Sequence, residues 1–103
     1  MPKAPRYTTR VRQPRDLMWM SMRMLRTFTI QDLMATAEVG YHAAQKYAAA
    51  LCKAGYLRRL GRTGPHRTMC WRLFRDTGPW APIRRRGGLV YDPNEHRTYG
   101  GDE

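Results

Sequence analysis

Tyr41, His42, Gln45 and Lys46 sit within six residues of one another, in a stretch, 41 to 54, whose other residues are mostly alanine. Wound at about 100° per residue, the segment gathers Ala44, Tyr47, Ala48, Ala50, Leu51 and Ala54 on one side. Tyr41, His42, Gln45, Lys46, Ala49 and Lys53 gather on the other. That second side offers donors, acceptors and positive charge, which is the chemistry of recognition rather than of bond making. Nothing else in the chain adds a reacting group. Cys52 and Cys70 lack the CxxC spacing of a zinc or redox site, and His42 and His66 fall in separate elements without ligand spacing, so no metal is expected. No nucleophile stands beside a base, no carboxylates pair, and no glycine-rich phosphate loop follows a strand. We therefore expect neither an enzyme nor a cofactor.

Charge says more. Nineteen Lys and Arg face eight Asp and Glu, giving a net charge of +11 and a pI near 10.7 in 103 residues. Part of the arginine excess is what a GC-rich genome would encode. The remainder points to a polyanion, since each phosphate contact releases counterions and the summed field steers association. Sixteen of the cations are Arg, whose planar guanidinium forks onto phosphate and guanine better than an ammonium does. The longest apolar run, residues 17 to 20, is too short to cross a bilayer, and no secretory segment opens the chain. A soluble, reduced, cytoplasmic protein with no membrane partner is the expectation.

The elements that would position the polar side follow from pattern. Residues 1 to 15 carry five cations, three prolines and no acid, and read as a flexible basic arm. A helix is predicted from Asp16, with Leu17, Met20, Met24 and Phe28 as its core face. Trp19 and Met22 fall opposite, a second apolar edge for the chain's own tail or for a partner protein. Thr29 with Asp32 caps a short second helix through Ile30, Leu33, Met34 and Ala37. Residues 38 to 40, EVG, turn the chain, the third helix covers 41 to 54, and Gly55 stops it. YLRRL (56 to 60) and MCWRLF (69 to 74) then read as a hairpin with a basic tip at 61 to 68, Trp71 inward and Arg72 outward. Residues 76 to 91 are expected to be irregular and to pack partly on the body, and 92 to 103 to be a disordered acidic tail.

The order helix, short helix, turn, longer helix, hairpin resembles the winged helix-turn-helix domain over residues 16 to 75. FTIQDLMATAEVGYHAAQKYAAALCKAGYL carries the likeness. The family usually has Ser or Thr where this chain has Gly40. The chain as a whole, including RDTGPWAP and GGLVYDPN, also looks like small regulators of temperate transposable phages. The resemblance implies a mainly α fold with one small antiparallel β-hairpin, and a double-stranded DNA-binding transcriptional regulator. Its second motif helix would enter the major groove and its wing would contact the backbone. Carried over, Tyr41, His42, Gln45 and Lys46 become the base readers, with Gln45 suited to adenine and Lys46 to guanine. Lys53, Arg58, Arg59, Arg62, His66, Arg67 and Arg72 become backbone contacts. Arg84, Arg85 and Arg86 would enter a minor groove or neutralise phosphates. A homodimer would read two half-sites. The competing expectation is an interaction module that binds a host protein through Trp19 and Met22 or the C-terminal segment, and a third is an architectural protein with little sequence preference.

Overall fold

A computed structural model describes residues 13–100; the expected arm lies almost wholly outside them, as do residues 101–103. Helix α1 spans Pro14–Leu25, starting on a proline whose missing N–H costs nothing in a first turn. Asp16 accepts the Gln13 N–H at 2.8 Å there. Strand β1 (Thr27–Thr29) leads directly into α2 (Ile30–Ala37) and then α3 (Tyr41–Lys53). Strands β2 (Leu57–Thr63) and β3 (Thr68–Leu73) form a hairpin, and β1 joins its β3 side to give the sheet order β1-β3-β2, all antiparallel. After β3 the chain makes a second antiparallel sheet from β4 (Ile83–Arg84), β5 (Leu89–Asp92) and β6 (Arg97–Gly100).

The expected fold class is thereby corrected. Three helices and two three-stranded antiparallel sheets make a small α+β domain, not a mainly α one with a single hairpin. The missed sheet is built from strands of two to four residues, too short to show alternation. Its stability comes from distant partners. Tyr56 donates its hydroxyl to Asp92 Oδ2 at 2.7 Å, with both residues fully buried. Asn94 bridges the Thr77 hydroxyl and the Trp80 carbonyl, and its own oxygen accepts the Trp80 N–H at 2.9 Å. Arg23 and Arg26 reach Asp76, and Arg75 reaches Glu95. The residues expected to be irregular thus carry β4 and most of β5, and the expected disordered tail carries β6 as far as residue 100.

Helix α1 buries the face opposite to the expected one. Met18, Trp19 and Met22 are in the core, whereas Met20 is partly open and Met24 is 71 % exposed. Phe28 is buried, but from β1, because the helix ends at Leu25 and Arg26 turns the backbone with φ 67°. Trp19 meets the Tyr56 ring edge-on at 5.9 Å and donates its indole N–H to the Gly78 carbonyl at 2.8 Å. The C-terminal segment therefore covers the edge expected for a partner, and Trp19 and Met22 are no interface.

Candidate nucleic-acid interface

The Thr29–Asp32 capping box closes on both sides, the Asp32 N–H to Thr29 Oγ1 and the Thr29 N–H to Asp32 Oδ2. It starts α2 in register with the core, and Ile30, Leu33 and Ala37 bury. Glu38, left-handed at φ 55°, reverses the chain toward α3. Gly40 offers no side-chain cap, so the first N–H groups of α3 receive none. Ala44, Tyr47, Ala48 and Leu51 pack inward, the alanines letting the helix lie close to its neighbours. Tyr41, His42, Gln45, Lys46, Ala49 and Lys53 are all exposed. The Tyr41 and His42 rings meet edge to face at 5.7 Å.

On one flank of α3 lies an open cleft of about 410 Å³, which brings Tyr41 and Gln45 to Arg59, Arg62, His66 and Arg67. The hairpin owes this alignment to an irregularity. Arg59 pairs with Trp71 and Arg62 with Met69, and the register shifts between Arg59 and Gly61. In a regular strand, residues three apart point to opposite faces. The extra residue, Leu60, puts both guanidinium groups on the cleft side. The same pairing sets Arg58 opposite Arg72, which places these two on the other face, where Arg58 lies 3.7 Å over the Phe74 ring. Arg58 and Arg72, expected as backbone contacts together with Arg59, Arg62 and Arg67, do not join the cleft.

The hairpin tip is closed by the Arg67 N–H to the Gly64 carbonyl at 3.1 Å, and Arg62 donates to the Arg67 carbonyl at 3.0 Å. Arg67 itself is left-handed, with φ 52°. Trp71, at the floor of the cleft, is buried, and its indole nitrogen has no hydrogen-bond partner.

On the other flank, a groove of about 450 Å³ brings Lys46 and Lys53 to Arg84, Arg85 and Arg86. The sequence-derived base readers are thus divided, Tyr41 and Gln45 beside the hairpin and Lys46 beside the arginine turn. Among the described residues, no acidic side chain lines either depression. The acids Asp76, Asp92 and Glu95 are instead engaged with Arg23, Tyr56 and Arg75. Sequence reasoning missed the groove because it depends on β4 and β5, strands with no local signal. Among the described residues no cluster of His, Cys, Asp and Glu suits a metal, and no helix is long and apolar enough to cross a membrane. No family model, curated protein or solved structure matches the chain.

Proposed function

We propose that this chain binds double-stranded DNA and reads its sequence, as a transcriptional regulator of the phage type that the chain as a whole resembles, acting in the cytoplasm or nucleoid of a host cell. One observation carries the proposal: the exposed polar side of α3 opens directly onto the cationic cleft of the β2–β3 hairpin, with no acid among the described residues lining it. Helix α3 has 13 residues and is therefore roughly 20 Å long, and a helix fits the B-DNA major groove, about 12 Å wide. Gln45 and Lys46 can pair with base edges, while Arg59, Arg62 and Arg67 neutralise phosphates. The host-protein alternative loses the Trp19 and Met22 surface, which is buried.

Selection of bound duplexes from a random pool tests the proposal, followed by titration of the winner across salt. An enriched sequence and a steep negative slope of log affinity against log salt are expected. Gln45→Ala with Lys46→Ala should lower the ratio of specific to non-specific affinity, whereas Arg62→Ala with Arg67→Ala should weaken both alike. A pool that fails to enrich, or a helix variant that loses both affinities in equal proportion, would refute base reading.

A further inference from the structure

Three kinds of anion-seeking group converge on the cleft between α3 and the β2–β3 hairpin. The first is the guanidinium set of Arg59, Arg62 and Arg67. The second is a pair of helix starts: Ile30 and Gln31, the first two residues of α2, line the cleft, and so does Tyr41, the first residue of α3. N–H groups in a first turn have no partner within their helix, and the helix dipole places positive charge there. The Asp32 carboxylate at the start of α2 accepts the Thr29 N–H and does not line the cleft.

The third group is a donor with nothing to give to. Trp71 is 5 % exposed, stacked on Phe28 at 6.3 Å, and its indole N–H finds no acceptor among the described residues. Trp19, equally buried, shows the contrast, since its N–H is taken up by the Gly78 carbonyl. Buried donors are nearly always paired, and one left unmet is costly. Packing on Phe28 and the pairing of Trp71 with Arg59 hold the ring at the cleft floor. The nitrogen is closed to water as well, but the three arginines are exposed, and exposed side chains change rotamer in ps to ns. An incoming anion can draw them aside and supply the missing acceptor.

Size and shape select the anion. A duplex meets the rim of a concave site, whereas a small molecule can descend to its floor. The volume of about 410 Å³ lies in the range of small-molecule sites. The lining is not purely cationic either. The Tyr41 ring is 49 % exposed at the cleft, with Ile30 and Met69 as further apolar area, and a flat heterocycle stacks well on an aromatic ring.

We propose that this cleft is a site for a nucleoside monophosphate, its phosphate met by the arginines and the Trp71 N–H and its base by Tyr41. Regulation follows, and this part rests on the DNA reading above. A nucleotide seated there occupies arginines that the duplex needs, so each weakens the other's binding by the same factor. The nucleotide is then a signal that releases the chain from its site.

The test uses the full chain, with adenosine monophosphate as the probe and adenosine and inorganic phosphate as separate arms, all at one ionic strength. Calorimetry gives the stoichiometry, and the indole N–H resonances of isotope-labelled protein report each tryptophan. We expect one adenosine monophosphate per chain, a moved Trp71 resonance beside an unmoved Trp19 resonance, weaker binding of phosphate and none of adenosine. Trp71→Phe keeps a ring on Phe28 while removing the donor, and should weaken the nucleotide about tenfold or more. Arg62→Ala with Arg67→Ala should do likewise. Circular dichroism and thermal melting verify that the variants fold, and the Trp71 resonance of the parent decides the matter even where one does not. The nucleotide should also displace the selected duplex at concentrations near its own Kd, where chloride of equal ionic strength does not. Absence of nucleotide binding, or a Trp71 resonance unmoved at saturation, overturns the ligand site, and duplex binding in the same buffer then leaves DNA reading intact. Adenosine binding as well as its monophosphate overturns the phosphate seat. Nucleotide bound without displacing the duplex overturns the release. A chain that binds the nucleotide but enriches no duplex supports the ligand site and overturns the DNA reading.

Discussion

Arg67→Gly should make the protein harder to unfold and worse at holding DNA. Arg67 closes the hairpin tip at φ 52°, exposed, with its N–H on the Gly64 carbonyl and its own carbonyl on Arg62. A left-handed L-residue costs roughly 1–2 kcal/mol, a cost glycine does not bear. Glycine loses roughly 0.5–1 kcal/mol more backbone entropy on folding, so the middle of the two ranges leaves a net gain of about 0.5–1 kcal/mol. Both backbone hydrogen bonds survive the change. In a domain of this size about 1 kcal/mol moves the melting temperature by roughly 4–8 °C, so calorimetry should show a rise of about 2–8 °C. On the proposed DNA reading one phosphate contact goes with it, and the salt slope should shrink by about 0.9. Arg67→Ala is the control, because it removes the charge while keeping the left-handed strain, and should lose the same slope without the thermal gain. An unchanged or lowered melting temperature in the glycine variant refutes the conformational cost. A raised melting temperature with an unaltered slope refutes the phosphate role.

Tyr56→Phe removes a hydroxyl from the buried Asp92 carboxylate, whose other oxygen holds the Asn94 N–H at 2.8 Å; a loss of about 1.5–3 kcal/mol is expected in urea unfolding, with faster hydrogen exchange in β5 and β6. Burial first, then the hydrogen bond and charge of Asp92, push the Tyr56 phenol well above its ordinary value. The folded state thus keeps a proton that the unfolded chain releases near pH 10, so this contribution is intact below about pH 10 and falls by about 1.4 kcal/mol per pH unit above it. Alkaline melts of Tyr56→Phe should lose that dependence. Gly78→Ala would place a Cβ 2.6 Å from Asn94 Oδ1 at φ 141° and should cost about 1–3 kcal/mol, with hydrogen exchange locating the damage in the second sheet rather than the hairpin.

Where the chain signals locally, sequence and structure meet. Thr29, Asp32 and Gly55 bound α2 and α3 through a cap and a left-handed stop at φ 95°, and both depend on residues within a few positions. The polar side of α3 is legible for the same reason, since only the 3.6-residue period is needed. Helix α1 defeats that period because methionines at 18, 20, 22 and 24 make it apolar around its circumference. The buried face is the one that meets distant chain, Trp19 packing on Tyr56 and donating to the Gly78 carbonyl 59 residues away. The second sheet is hidden likewise, its attachment resting on pairs such as Tyr56 with Asp92 and Tyr47 with Pro82. Even within the recognised hairpin, the separation of Arg59 and Arg62 from Arg58 and Arg72 turns on one extra residue that no local composition announces.

That extra residue has an effect on the chain's behaviour in company. Strand β2 is the outer strand of its sheet, and an uninterrupted outer strand invites a neighbouring molecule to add on and propagate a fibril. The kink at Leu60 breaks the row of free backbone groups halfway along, and the arginines on either side repel a like-charged copy. The proposed nucleic-acid contacts and resistance to self-assembly therefore draw on the same three residues, and a change that straightens the strand would compromise both.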